Sequence, residues 1–223
     1  MPAAEDRWLD GSAVVVTAGG TREPIDPVRY IGNRSSGKMG NALALAAAHA
    51  GARVTLITAA ESPPVMPGVE VTRASTADEM HAAVRAALPS ARVLIMAAAV
   101  ADWRPAAVAA NKMKKRPGTW MLELVPTVDI LSALRGEPAR PRVYVVGFAA
   151  ESEDALINAQ AKLRSKALDL IVVNDISRAG IGMGADHNEV TVIDASGVVE
   201  TISRAPKAAV ASAILRLIRS RLR

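Results

Sequence analysis

The chain contains no cysteine. That excludes disulfides, thiolate metal sites and a cysteine nucleophile of its own. Aromatic residues make up only 3 % of it. Its core must therefore be built from Ala, Val, Leu and Ile, which suits close packing of helices on a sheet. His49, His81 and His187 are far apart and form no HExxH pattern, so they make a poor zinc site. No apolar run approaches the length of a membrane span. Residues 1–11 are polar and mixed in charge, unlike a signal peptide, and read as a linker or chain end. The expected compartment is the cytoplasm. No internal repeat or low-complexity tract is present. The formal charge of +5 favours anionic partners. Without an aromatic-interleaved basic stripe or a recognition-helix pattern, small phosphorylated molecules fit that charge better than nucleic acid.

What is present is a chain of 223 residues, half of them hydrophobic, enough for a sizeable core. Apolar, β-branched runs at 13–17, 53–58, 69–73, 92–98, 142–149 and 170–174 read as strands. Between them lie helical patterns at 36–50, 76–88 and 154–166. Thr76-Ala77-Asp78-Glu79 is a capping box. Residues 120–124 alternate like an edge strand, and either Thr127 or Asp129 caps a short helix to 135. Segments 189–193 and 198–203 read as a β-hairpin, and 207–222 as a closing helix with Val210, Ile214, Leu217 and Ile218 inward. Such alternation predicts an α/β fold, a mostly parallel sheet covered on both faces with a C-terminal hairpin. Ligands of these sheets sit beyond the carboxyl ends of the strands. Unusual loops at 18–35, 99–119, 150–153 and 174–188 follow strand ends and should meet at one rim. Residues 12–223 are expected to form a single domain.

The stretch Gly32-Asn33-Arg34-Ser35-Ser36-Gly37-Lys38-Met39-Gly40 ends a Pro-containing loop and opens a helix. Ser35, Ser36 and Gly37 fall where a helix leaves its first N–H groups unpaired, a site for a phosphate. The spacing Gly32 to Lys38 mimics a phosphate loop, but Met39 stands where that motif needs Ser or Thr. Ala18-Gly19-Gly20-Thr21 follows a strand without a helix at once, so a dinucleotide fingerprint also fails. An ordinary glycine-rich helix start is the plainer reading.

Other residues carry charge worth weighing. Lys112, Lys114, Lys115 and Arg116 form a basic loop, either solvated or an anion clamp. Asp102, at a strand exit, could hold Mg²⁺ or a nucleotide hydroxyl, or simply shape a turn. Lys162 and Lys166 share one helix face and repel unless an anion lies between them. Phe148 either stacks on a base or packs in the core. Asn33 is a turn former or a donor to a carbonyl or oxyanion. His187 could be a general base, though a polar loop role suits it better. Cations and amides that position anions fit nucleotidyl or phosphoryl transfer more than acid–base hydrolysis.

Taken together, Thr17-Ala18-Gly19-Gly20-Thr21-Arg22-Glu23-Pro24-Ile25-Asp26, Asn33 to Gly40, Ala98-Ala99-Val100-Ala101-Asp102-Trp103, Lys112-Met113-Lys114-Lys115, Val146 to Glu151 and Asn174-Asp175 resemble one family. It is bacterial phosphopantothenate–cysteine ligase, the synthetase half of the bifunctional coenzyme A biosynthesis protein. The resemblance implies a Rossmann-like three-layer sandwich and a homodimer with shared sites. It implies that CTP, with Mg²⁺, activates the carboxylate of 4′-phosphopantothenate as an acyl-cytidylate, which L-cysteine then converts to an amide. By resemblance Asn33 serves the cysteine step and Lys112 formation of the intermediate. Ala98, Ala99, Asp102, Val128, Asp129, Ile130, Leu131, Phe148, Lys162 and Lys166 match nucleotide contacts, with Asp102 also the metal candidate. The family's usual N-terminal flavin-dependent decarboxylase domain has no counterpart in this sequence, and Val128 stands where the family often has Pro. A nicotinamide-dependent reductase is the alternative; it lacks GxGxxG and a Tyr-x-x-x-Lys pair.

Overall fold

The computed structural model describes residues 7–115, 117–151, 154–175 and 184–222. In chain order the strands and helices are β1 (Ala13–Ala18), β2 (Arg22–Pro24), β3 (Tyr30–Gly32), α1 (Lys38–His49), β4 (Arg53–Thr58), β5 (Val69–Arg73), α2 (Ala77–Ala87), β6 (Val93–Met96) and β7 (Trp103–Pro105). They continue with β8 (Leu124–Pro126), α3 (Ile130–Leu134), β9 (Tyr144–Glu151), α4 (Ala155–Ser165), β10 (Leu170–Asp175), β11 (His187–Asp194), β12 (Gly197–Pro206) and α5 (Lys207–Arg219).

The first apolar run becomes the middle of the sheet. β1 pairs in parallel with β4 on one side and β6 on the other. The full order is β5-β4-β1-β6-β9-β10-β11-β12, parallel through β10 and antiparallel for the last two. Strands covered on both faces need no polar face, which is why β6 is an unbroken apolar run and β1 is one but for Thr17. α1 and α5 cover one face through Leu43, Ala47, Val210, Ile214 and Ile218. The other face is covered by α2, α3 and α4 through Met80, Val84, Ile130, Leu134, Ala159 and Leu163. This is an α/β, Rossmann-like arrangement with the expected C-terminal hairpin, β11–β12. Within the 1–11 stretch, Leu9 is 1 % exposed and its N–H bonds the Ala50 carbonyl.

Three local expectations change. Residues 19–33 are not an open loop: β2 and β3 pair as a small antiparallel hairpin. Pro24 and Pro27 forbid helix but not extended chain. The helix expected from 36 starts at Lys38, because its N-cap, Gly37, takes φ +76° and turns the chain there. Residues 120–124 are not the edge strand. The strand is Leu124–Pro126, in register with Trp103–Pro105, and Met121 is left 86 % exposed. Arg116 and parts of the 150–153 and 174–188 loops lie outside the described residues.

Candidate functional site

β1 and β6 are neighbours whose following chain departs in opposite directions, towards β4 and towards β9. That reversal opens a crevice at their carboxyl ends. Its floor is laced by backbone. Ala98 N–H donates to Thr17 Oγ1 at 3.1 Å, and Ala101 N–H to Thr21 Oγ1 at 2.8 Å. Thr21 N–H donates to the Ala99 carbonyl, and Ala99 N–H to that of Gly19, at 3.1 and 2.8 Å. Asn33 closes the lacing: its Nδ2 donates to the carbonyls of Ala99 and Val100 at 3.1 and 3.0 Å. Both amide hydrogens are thus committed to protein carbonyls, and the side-chain oxygen is what Asn33 has left to offer a ligand. Gly20 permits the approach. A Cβ there would lie 2.3 Å from the Asn33 carbonyl oxygen.

In the crevice is a cavity of about 140 Å³, room for a phosphate group. Ser35, Ser36 and Gly37 line it together with Ala98, Ala99 and Phe148. The loops expected to converge therefore do so, as far as they are described. Lys38 and Lys207 join them from two helix starts. Lys38 Nζ donates to Asp186 Oδ1 at 2.6 Å and to the Gly184 carbonyl at 3.1 Å. Lys207, 9 % exposed, donates to the Ala185 carbonyl. Burial, and then the Lys38 charge, hold the Lys207 ammonium below its ordinary pKa, against the pull of Asp186. The hydrogen bond from Lys38 holds the Asp186 carboxyl below the usual range. An anion entering here meets two ammonium groups and relieves their repulsion. Sequence reasoning missed Lys207 and the buried Asn188 beside it. The signal was a lysine at the head of the inward stripe that continues through Val210, Ile214 and Ile218.

A second cluster gathers around α3. Asp129 caps it, accepting Ser132 N–H at 3.1 Å and Ser132 Oγ–H at 3.0 Å. Lys166, at the end of α4, donates to the same carboxylate and to Ser132 Oγ. Burial lowers the Lys166 pKa, and the charge of Asp102 opposes that shift. Lys162 lies one turn earlier on α4, exposed. Ile130 is core, and Val128 and Leu131 pack against core, so 128–131 has mainly backbone to offer a ligand. Phe148 keeps both roles open. It packs on the core and also lines the cavity.

Lys112, Lys114 and Lys115 are exposed on a loop whose Met113 is clasped by Asp26 and Arg29. Asp102 is also exposed, and its carboxylate accepts no hydrogen bond from the described residues; only its carbonyl does, from Thr127 N–H. No cluster of three or more His, Asp or Glu suited to a metal occurs among the described residues. A lone carboxylate plus phosphate oxygens is a donor set that fits Mg²⁺. No helix among them is long and apolar enough to cross a membrane.

Residues 9–222 match the family model described as DNA/pantothenate metabolism flavoprotein C-terminal domain. The chain belongs to that family. Relatives in this pantothenate-metabolism family include the coenzyme A biosynthesis bifunctional protein CoaBC of Mycobacterium tuberculosis, 46 % identical over 220 residues, covering 94 % of this chain and 52 % of the relative. The CoaBC of Bacillus subtilis is 47 % identical over 190 residues, covering 85 % of this chain and 46 % of the relative. The chain spans about half the length of these curated relatives. A crystal structure of the C-terminal domain of CoaBC superposes with a TM-score of 0.82 at 35 % identity, covering 97 % of this chain and 98 % of that one. The motif resemblance and the family membership point to the same half of CoaBC.

Proposed function

We propose that the chain is a phosphopantothenate–cysteine ligase acting in coenzyme A biosynthesis, with CTP as the activating nucleotide. The observation that carries this is the switch-point cavity, where Ser35, Ser36 and Gly37 meet Lys38 and Lys207 beside the 98–99 backbone. Those groups suit the phosphate of 4′-phosphopantothenate. In the first step its carboxylate oxygen attacks the α-phosphorus of CTP and pyrophosphate leaves. Lys112 is the cation assigned to the charge that builds on the phosphates. Asp102, Asp129, Lys162, Lys166 and Phe148, with backbone at Ala98, Ala99 and 128–131, are assigned to the nucleotide. Mg²⁺ on the triphosphate, met by Asp102, would offset its charge. In the second step the amine of L-cysteine attacks the acyl carbon and CMP leaves, giving the amide. Asn33, already fixing the 99–100 carbonyls, positions that step.

A homodimer belongs to the same reading. Its support is the apolar surface on the two small arms, where Val28, Tyr30, Trp103, Val108, Trp120 and Met121 are exposed. A species sedimenting as a monomer at active concentrations contradicts that part. The nucleotide assignment is tested with CTP, ATP, UTP and GTP in parallel, each with Mg²⁺, 4′-phosphopantothenate and cysteine. Amide formation is expected with CTP and at least about tenfold slower with the others, a difference of about 1.4 kcal/mol. Equal rates with ATP would overturn CTP as the activating nucleotide.

A further inference from the structure

Asp26 has no exposed side-chain surface, yet it is paired with Arg29 and lies in the β2–β3 turn. Its Oδ1 accepts the N–H groups of Val28 and Arg29 at 2.8 and 2.9 Å, which shapes the turn. Its Oδ2 accepts Arg29 Nε at 3.0 Å, the Arg29 terminal nitrogen, and Met113 N–H at 3.1 Å. The same terminal nitrogen of Arg29 donates to the Met113 carbonyl at 2.7 Å. One peptide-linked residue, 87 positions away in sequence, is thus held at both its N–H and its C=O. Two further contacts brace the clasp. Ala109 N–H bonds the Ile25 carbonyl at 2.9 Å, and the Arg29 guanidinium lies 5.3 Å from the centre of the Trp120 ring.

Met113 sits between Lys112 and Lys114. A loop dense in positive charge repels itself and would sample many positions. A buried carboxylate whose acceptor capacity is filled is a costly way to make a turn, because a neutral Asn or Ser could bond the turn amides alone. The extra capacity is spent on Met113. We infer that Asp26, together with Arg29, is a positioning residue that fixes the lysine loop so that Lys112 meets the nucleotide phosphates. This rests on the assignment of Lys112 to the activation step. Asp26 itself touches no reacting atom.

Asn is the sharp substitution. It keeps the shape but turns one acceptor into an NH₂ donor, which must then face either the two turn amides or the Met113–Arg29 pair. Trypsin reads the tether directly, since it cuts after Lys112, Lys114 and Lys115. The full chain carrying Asp26→Asn is compared with wild type for cleavage rate at that loop, melting temperature, pyrophosphate release from CTP and 4′-phosphopantothenate, and the rate at which cysteine consumes the enzyme-held intermediate. Expected is cleavage at least about tenfold faster, pyrophosphate release about a hundredfold slower at saturating substrates, and an unchanged cysteine step. Arg29→Lys, which keeps the charge but loses the fork onto Asp26 and with it the terminal nitrogen that reaches Met113, should show the same pattern and serves if the Asn protein does not fold. Unchanged cleavage in both variants overturns the tether. Faster cleavage with wild-type pyrophosphate release overturns the positioning role. A Lys112→Ala protein with full turnover would sink the Lys112 assignment beneath it, while the cleavage result judges the clasp separately.

Discussion

At Asp26 the sequence shows only an Asp before a Pro in a turn, an ordinary turn residue. The burial of that carboxylate and its reach to Met113 depend on a second loop arriving, which no local pattern announces. The same holds at Lys207, whose neighbours Lys38 and Asp186 come from elsewhere in the chain. Ser35, Ser36 and Gly37 follow in sequence from a helix start expected at 36, but the helix starts at Lys38, so its unpaired amides belong to Gly37 and the residues after it, and Ser35 and Ser36 only precede them. What was not legible was that the Asn33 amide nitrogen is consumed by the 99–100 carbonyls. A pH prediction belongs at this scale. The Arg29 guanidinium, foremost, and three backbone N–H groups hold Asp26 well below the usual carboxylate range, against burial. A carboxyl lowered on folding contributes stability that is complete above its unfolded pKa of about 3.9 and is lost as pH falls towards the native value. The stability gap between wild type and Asp26→Asn, measured by urea unfolding, should be constant from neutral pH to about 4 and shrink below that. A gap that narrows already near pH 6 contradicts the assignment of the charge to Asp26.

Elements were read well where the signal is local. The capping box is formed as its residues dictate: Glu79 N–H donates to Thr76 Oγ1 at 3.2 Å, and Thr76 N–H to Glu79 Oε2 at 3.3 Å. Ser75 N–H joins the same carboxylate at 2.6 Å. Replacing Thr76 by Ala should lower stability by about 1 kcal/mol, read as a fall in melting temperature of a few degrees, without changing the turnover of the proposed ligase reaction. No change in melting would show that α2 is held by its packing through Met80 and Val84 alone. Elements were misread where the deciding partner is distant. β8 forms at Leu124–Pro126 because Asp102 and Trp103 arrive there, with Thr127 N–H on the Asp102 carbonyl. The apolar alternation just before it goes instead to the surface, where Trp120 receives Arg29. The β2–β3 hairpin is a milder case, since its prolines exclude helix and leave loop and strand undecided.

For the whole molecule, alternating strands and helices were enough to give a parallel sheet, and the right-handed crossover rule leaves few orders for it. The order places the reversal between β1 and β6, so the loops most unusual in sequence are the ones that meet there. Sequence could name the residues of that rim but not divide them into a phosphate cavity, an acidic and lysine cluster around α3, and a clasped basic loop. Those are products of packing. In the proposed reaction these parts serve one two-step condensation, and a pyrophosphate assay without cysteine separates the steps. The protein is mixed with CTP, Mg²⁺ and 4′-phosphopantothenate. One equivalent of pyrophosphate per site should be released and then stop, CMP should appear only when cysteine is added, and Lys112→Ala should lose the release. Liberation of CDP and inorganic phosphate, or no pyrophosphate until cysteine is present, would contradict it.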